Sequence, residues 1–581
     1  MNSKIAEKIK KLIASAAENF ELDVPDVNLE HPEILSHGDY SSNVALVVAK
    51  EVSKAPKEIA EELKKEIEKN LPEEVERVEV AGAGFLNFYL SRKFFADSVA
   101  EIIACDDFGK GDALEGKMAL FEYTDPNPFK AFHIGHLMAN AVGEALSRLA
   151  EMQSAEVSRI CYQGDIGLHV AKTIWGMEKA REAFPEDGDT LGDKIKFMGD
   201  AYVSGTNAYE DDEKAQNEIK IINKKLFSAL GGSASGGEKS DSELQTYYNK
   251  GKKWSLEHFE EIYKILDTKF DEHIFESEMA EPAVQIVRDN PNVFVESEGA
   301  VVFKGEEHGL HTRVFLTSQG LPTYEAKDTA LFFRKAKEFP KHDLSLVVTA
   351  NEQSDYFKVL QRVFALLSPE LAKKFTHISH GLLRFTEGKM SSRKGNIITA
   401  EAFIDDVKDV ALSKINKEGI EEKEKEKIAE AVVIAAIKYS ILRQSPGKDI
   451  IFDKEKSLSF EGDSGPYLQY AYVRSSSLLE KANTTHGKGN PCHFVPEEIY
   501  EIEKMLYRFP EVTSRAWAEK APQLVVEYLT HLASAFNGFY AKGTIVSGES
   551  DSPYKVAITK AFNTVMQNGL HILAIPLLQK M

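Results

Sequence analysis

Cysteine, long apolar runs and positive charge are all scarce in this chain. Cysteine occurs only at Cys105, Cys161 and Cys492 among 581 residues. Thiols so few and so far apart supply neither a disulfide framework nor a four-ligand metal cage. No apolar stretch approaches the ~18 residues that a membrane span needs. The opening Met1-Asn-Ser-Lys-Ile-Ala-Glu-Lys reads as an amphipathic helix start, because charges recur and no apolar core region follows. These absences point to a cytoplasmic protein with no membrane partner. Lys and Arg number 71 against 92 Asp and Glu, a formal charge of −21. That balance argues against non-specific binding to DNA. The acidity is uneven: residues 406–581 carry 22 basic and 23 acidic side chains, so the last third can meet a polyanion without large repulsion.

What is present is an ordinary globular composition, 43% hydrophobic and 28% charged, on a chain long enough for several domains. The sequence is organised around residues 117–149. Lys117 to Thr124 is a short apolar run with aromatics. A loop follows, broken by Pro126 and Pro128, and ends in His133-Ile-Gly-His136. From Leu137 to Leu149 apolar residues recur at helical spacing. A strand feeding a helix start is where α/β folds bind nucleotides, since free N–H groups and the helix dipole favour negative charge there. His133 and His136 bracket that start, and Gly135 between them lets a phosphate approach the backbone while two imidazoles donate to it. Two plainer readings stay open on these residues alone. The pair is half of a zinc site, for which Cys161 and His169 are the nearby extra ligands at no familiar spacing, or it is two ordinary surface histidines.

Along the chain, residues 1–112 read as a small α+β domain. It holds helices at Ile5–Phe20, Val44–Val52 and Glu58–Asn70, a turn at Gly38-Asp-Tyr-Ser-Ser-Asn43, and strand character from Val78 to Leu90 around Ala81-Gly-Ala-Gly84. Cys105 to Gly111 reads as a linker. Strands are expected at Ala155–Tyr162, Gly299–Phe303, Arg313–Leu316 and Leu344–Thr349, interleaved with helices, which suggests a parallel sheet with crossover connections. Helices near Val170–Ala183 and Glu210–Leu230 and an exposed Gly231–Gly237 loop mark residues 180–265 as an insertion. From 406 onward strands mostly vanish, and five segments between Ile428 and Leu573 carry helical spacing, which describes a bundle.

A second motif closes the α/β region: Gly388-Lys-Met-Ser-Ser-Arg-Lys-Gly-Asn396. Three cations, two hydroxyls and flanking glycines make a loop able to close over a polyphosphate, although a lone run of this kind also suits a solvated basic turn. His-Ile-Gly-His early and Lys-Met-Ser-Ser-Arg late resemble the paired signatures of class I aminoacyl-tRNA synthetases. The wider context resembles the arginyl-tRNA synthetases. The matching stretches are Gly38–Ala45, Ala81–Phe88, Asp125–His133, Tyr324–Asp328, Ala436–Ser440, Gly465–Ala471 and the terminal Asn568–Met581, so they run from end to end. Two positions depart. Ser392 stands where the superfamily usually has lysine, leaving open which of Lys389, Arg393 and Lys394 takes its role. Asp125 stands where the family more often has a small residue.

The resemblance implies an α/β multidomain protein: a Rossmann-type parallel-sheet catalytic domain at 113–405, a tRNA-contacting N-terminal domain at 1–112, and an α-helical anticodon-binding domain at 406–581. It implies ATP with Mg2+, L-arginine and tRNA(Arg) as partners, no zinc, and a monomer. By resemblance Lys130, His133, Gly135, His136, Lys389, Met390, Ser391, Arg393 and Lys394 serve ATP. Asp328 and Tyr324 take the guanidinium, Glu122 and Asn127 take arginine's other polar groups, and Gln353 lines the pocket. Without the family, Glu122 reads equally as a strand end in solvent, and Asp328 as a partner of Lys327 or Arg334. Tyr467, Gln469, Tyr470, Tyr540, Met581 and Trp517 are the expected tRNA contacts, though aromatics at helical spacing are also core residues. A guanidinium pocket built on several polar contacts rejects analogues by ~10⁴ or more, so no editing domain is required. The rivals are another class I synthetase, a nucleotidylyltransferase acting on a small molecule, and a silent tRNA-binding paralogue.

Overall fold

The computed structural model describes residues 2–18, 20, 27–52, 54–230, 242–386, 398–414, 421–486, 494–547 and 549–581. The expected Gly231–Gly237 loop and Cys492 lie outside the described residues. No helix among the described residues is long and apolar enough to cross a membrane. The chain divides into two compact units, one of residues 1–111, 459–571 and 577–581, the other of 112–458 and 572–576.

In the first unit, strands β1 (Tyr40–Ser42), β2 (Val75–Ala81) and β3 (Phe85–Leu90) pair antiparallel in the order β1-β3-β2. The strand character expected from Val78 to Leu90 is therefore a hairpin. It turns at Gly82 and Gly84, both at positive φ (52° and 129°), where side chains are disfavoured. Helices pack on this sheet through residues four apart: Ile5, Ile9 and Ile13 from one helix, Ile59, Leu63 and Ile67 from another. The same core takes in Tyr507, fully buried, from the C-terminal helices.

Polar contacts around Gly38-Asp-Tyr-Ser-Ser-Asn43 reinforce that packing. Buried Asp39 accepts from the Leu90 N–H at 2.8 Å and lies 3.7 Å from the Lys504 ammonium; burial pushes its carboxyl above the usual range. The Tyr40 hydroxyl donates to Glu511 at 2.5 Å, and His31 bridges the Asp39 carbonyl (2.7 Å) and the Glu511 carboxylate (3.0 Å). Arg92 forks onto buried Glu503. N-terminal sheet and C-terminal helices thus form one body.

The second unit carries the parallel sheet. Its strands β4 (Met118–Glu122), β5 (Glu156–Gln163) and β6 (Glu272–Phe275) lie to one side of β10 (Leu344–Ala350) and β11 (Phe375–His380), in the order β11-β10-β4-β5-β6, with every pair parallel. The segments expected to join this sheet near 299–316 instead pair with each other. Strands β7 (Val295–Ser297), β8 (Ala300–Phe303) and β9 (Arg313–Leu316) form an antiparallel sheet, because the turn at Glu298–Gly299 and the connection over 304–312 are shorter than the crossover a parallel pair needs. The last two strands, β12 (Leu383–Phe385) and β13 (Ile450–Phe452), pair parallel. The 180–265 segment is helical throughout its regular structure: Leu191–Asp211, Glu213–Leu230 and Ser242–Ile265, with a short turn of helix at Arg181–Ala183.

Helices Ala400–Lys414 and Glu422–Leu442 belong to the sheet's unit, whose main segment runs to Leu458. The reason is burial. Every residue from Val432 to Leu442 is enclosed, Lys438 included. Its ammonium donates to the carbonyls of Leu266 (2.5 Å) and Ala574 (2.8 Å), and burial lowers its pKa to about 7. Helical periodicity after 406 does not distinguish a helix sunk against the sheet from one in a separate bundle.

At Gly84 an added Cβ would lie 2.8 Å from the Pro56 carbonyl oxygen in a backbone conformation that side chains resist. Gly84→Ala is expected to cost about 1–3 kcal/mol of unfolding free energy, read by denaturant titration of the full chain, whereas Ala at Gly82, which meets nothing within 4 Å, costs less.

Candidate active site

Strand β4 is the point at which the sheet's connections diverge, with β5 on one side and β10 on the other. In open parallel sheets ligands bind in the crevice beyond the strand ends at such a point. The chain leaving β4 crosses this crevice as the loop Tyr123–His133 and enters helix Ile134–Met152, buried from His136 to Ala150. A ring-on-backbone contact sets the helix's approach: a Cβ at Gly143 would lie 2.2 Å from the Tyr123 ring.

The loop holds three non-glycine residues at positive φ, Thr124 (76°), Asp125 (46°) and Phe129 (68°), and each is tied down. Asn140 donates to the Thr124 hydroxyl at 3.1 Å, and the Phe129 N–H donates to Ser255 at 2.9 Å. Asp125 Oδ1 accepts from the Tyr162 N–H on β5 at 2.7 Å. Burial, followed by the Glu122 charge, pushes the Asp125 carboxyl well above its usual range. The departure at Asp125 is thus the residue that staples the loop to the neighbouring strand, a role without any signal in the sequence.

His133 and His136 cap the helix reciprocally. The Gly135 N–H donates to His133 Nδ1 and the His133 N–H to His136 Nδ1, both at 3.1 Å, and the rings stack with centroids 3.7 Å apart. Burial lowers both pKa values, and the Lys130 charge lowers them further. Each imidazole is therefore neutral near pH 7 with Nδ1 occupied as an acceptor, so its proton sits on Nε2 as a donor. Gly135 is required by the stack, since a Cβ there would lie 2.9 Å from His133 Cε1. Lys130 is half-buried, and burial, with Lys172 nearby, lowers its pKa. His169 and Cys161, the extra ligands of a zinc reading, engage other groups: His169 Nε2 donates to the Gly164 carbonyl at 2.8 Å, and Cys161 faces the Tyr263 hydroxyl at 3.5 Å.

Lys389, Met390, Ser391, Arg393 and Lys394 lie outside the described residues, but the chain just beyond them is described. The Ile134 N–H donates to the Ile398 carbonyl (3.2 Å), the Ala400 N–H donates to the Phe132 carbonyl (2.9 Å), and Thr399 bridges His133. The segment leaving the second motif is pinned against the first.

Carboxylates crowd the other side of the crevice. Glu122 is buried and receives the Lys335 ammonium; Glu276 receives that of Lys327. Asp328 accepts from the Tyr356 hydroxyl at 2.5 Å. Its pKa is raised to about 7 by burial, aided by Glu122 and Glu276 and opposed by the Tyr356 hydrogen bond and Lys327. Neither plainer reading holds: Glu122 is not in solvent, and Lys327 and Arg334 pair with Glu276 and Glu338 instead of Asp328. Asn127 Oδ1 accepts from the Gly164 N–H at 3.0 Å. Tyr324 is 56% exposed, with the Lys327 ammonium 4.5 Å from its ring, and Gln353 is exposed just beyond β10. Sequence reasoning missed Asp165, a fully buried carboxylate that accepts from Tyr248, Lys252 and Ser277 at 2.7–2.9 Å and ties β5 to helix Ser242–Ile265. Its place in Gly164-Asp-Ile-Gly167, directly after a strand, was the available signal.

In the other unit, Tyr467, Tyr470 and Tyr540 gather around Arg474 and Asn537. The Arg474 guanidinium lies 4.8 Å from the Tyr470 ring and 4.7 Å from that of Tyr540, and Asn537 donates to the Tyr467 hydroxyl at 3.0 Å. Gln469 and Trp517 are buried, and Met581 is half-buried.

Three family models match in succession: the arginyl tRNA synthetase N terminal domain over residues 3–90, the catalytic domain of tRNA synthetases class I (R) over 98–454, and the DALR anticodon binding domain over 468–581. An arginine–tRNA ligase of Treponema denticola is 31% identical, covering 96% of this chain and 95% of its own. One from Clostridium botulinum strain Alaska E43 is 29% identical over 100% of this chain and 99% of its own. The Thermus thermophilus arginyl-tRNA synthetase superposes with a TM-score of 0.79 at 25% identity, covering 99% of this chain and 100% of that one. With a catalytic-domain match over more than half its length and a near-full-length relative above 30% identity, on a parallel sheet carrying a histidine-capped helix, the chain belongs to the arginyl-tRNA synthetase family.

Proposed function

We propose that this enzyme, an arginine–tRNA ligase, uses the crevice beyond β4 to activate L-arginine with ATP and then charges tRNA(Arg). The arginine carboxylate attacks the α-phosphorus, the bond to the bridging oxygen of pyrophosphate breaks, and arginyl-adenylate remains. A terminal ribose hydroxyl of the tRNA then takes the arginyl group and AMP leaves. Neither step calls for a covalent enzyme nucleophile, so the work lies in alignment and charge stabilisation. His133 and His136 donate through Nε2 to ATP phosphates beside the helix start, with Lys130 adding charge. The loop of Lys389, Met390, Ser391, Arg393 and Lys394 closes over pyrophosphate. ATP, with Mg2+ on its phosphates, is the family's cofactor; zinc takes no part.

Asp328 and Tyr324 receive the guanidinium, Glu122 and Asn127 the polar groups nearer the phosphates, and Gln353 the pocket rim. The observation that carries this reading is the reciprocal capping of His133 and His136, because it fixes two neutral Nε2 donors at a helix start. The three-part order read from the sequence, with an N-terminal domain, a catalytic domain and anticodon-binding helices, agrees with the order of the three matched ranges, while the catalytic match and the sheet's unit extend past the expected 405 boundary to 454 and 458. Tyr467, Tyr470 and Tyr540 around Arg474 offer stacking faces to unpaired bases, with Gln469 beneath them and Met581 at the chain end. The enzyme acts as a cytoplasmic monomer.

Incubated with unfractionated tRNA, ATP and Mg2+, the protein is expected to charge with arginine alone among the standard amino acids. Charging with another amino acid overturns the pocket, and no charging with tRNA still bound favours the silent paralogue. Gly135→Ala should tilt His133 out of the stack and slow ATP–pyrophosphate exchange, measured with tRNA present, by about ten- to a thousandfold with little change in arginine KM. The Asp328 carboxyl, with its pKa of about 7 in the free site, must be ionised to hold a guanidinium. As pH falls below 7 the proton competes, so arginine KM should rise by up to about tenfold per pH unit, flatten above 7, and lose this slope in Asp328→Asn.

A further inference from the structure

One buried hydroxyl in the carboxylate-rich crevice has no partner. Tyr162 stands near the end of β5 and is 8% exposed; its hydroxyl oxygen is enclosed and makes no hydrogen bond among the described residues. The ring cannot readily swing away, because its backbone N–H is committed to Asp125 and its side chain belongs to the sheet's apolar core with Ile160, Ile274 and Phe357. Buried polar groups are nearly always paired, and one that is not needs a reason to persist.

The surroundings identify the missing partner. Burial first, then the charges of Glu276, Asp328, Glu122 and Asp165, push the Tyr162 phenol well above its ordinary pKa, so it stays protonated. The Tyr356 hydroxyl, which donates to Asp328, lies within electrostatic reach of Tyr162. A phenol among carboxylates can donate its one proton to a carboxylate while its oxygen keeps lone pairs for another donor. Such a field repels phosphate and the substrate's carboxylate and attracts a cation. Phe357, in the same core as Tyr162, follows directly on Tyr356, whose hydroxyl donates to Asp328, so the phenol belongs to the packing around that carboxylate. We propose that the Tyr162 hydroxyl is a specificity-determining contact for arginine, accepting an N–H of the substrate guanidinium beside Asp328. The contact rests on the proposed function of this crevice as the arginine pocket, and it supplies the partner that the buried phenol otherwise lacks.

Tyr162→Phe removes the oxygen and little else. In aminoacylation assays the variant should show an arginine KM raised about ten- to a hundredfold, with ATP KM and thermal midpoint unchanged. An unchanged arginine KM overturns the contact, as does an equal rise in both KM values or a lowered thermal midpoint, either of which makes the hydroxyl structural. Asp328→Asn, measured in parallel, separates the two levels. If it raises arginine KM while Tyr162→Phe does not, the contact alone fails; if neither variant raises it, the pocket itself lies elsewhere.

Discussion

The neutralisation of carboxylates removed from water governs how this catalytic unit is built. Glu122, Glu276, Asp165 and Glu144 are all buried in one unit, and an unpaired charge there would cost several kcal/mol. Each has its own cation: Lys335, Lys327, Lys252, and the pair Arg148 and Arg159. Burial works against the Glu144 carboxylate, yet the two arginines outweigh it and hold its pKa below the usual range. Among the described residues Asp125 and Asp328 form no such ion pair, and burial pushes both upward. The internal lysines thus satisfy part of the negative field and leave a remainder that a guanidinium can satisfy. A site made this way is anionic without being unstable, and it sits next to a helix start that prefers anions. That juxtaposition suits a reaction bringing a cationic amino acid to a triphosphate.

Strain and capping serve the same division of labour. The loop from β4 to the helix bends through three positive-φ residues as it passes from the carboxylate cluster to the helix start within a dozen residues. Its hydrogen bonds run outward to β5 and to helix Ser242–Ile265. The segment 180–265 is therefore part of the scaffold of the loop that follows β4: Ser255 and the close contact of Gly251 with Phe129 hold the bend from the far side.

Much of this was legible along the chain. The strand, broken loop and helix at 117–149, the glycine between the histidines and the run of helices after 406 are local patterns, set by spacing and by residues with special backbone freedom. The illegible parts depend on partners far away in sequence. Residues 299–316 have strand character, but nothing local says that they pair with each other instead of joining the main sheet. Helix Glu422–Leu442 looks like any apolar helix until Lys438 is seen donating to carbonyls of residues 266 and 574. The partners of Asp125, Asp165 and Tyr162 lie on other elements, so neither the unusual residue at 125 nor the acid after β5 could say what it binds.

By itself the sequence determined the chemistry on offer. An imidazole pair at a helix start and a cationic hydroxyl-bearing loop depend on residue type and short spacing, and their resemblance to the paired signatures of class I aminoacyl-tRNA synthetases is what singled out nucleotide chemistry. Only the tertiary structure decided which state each group adopts. The tautomers of His133 and His136 follow from backbone donors, the pKa of Asp328 from burial among other carboxylates, and the free hydroxyl of Tyr162 from a core that encloses it. Protonation and pairing are properties of an environment, and that environment is assembled from strands and helices far apart in the chain.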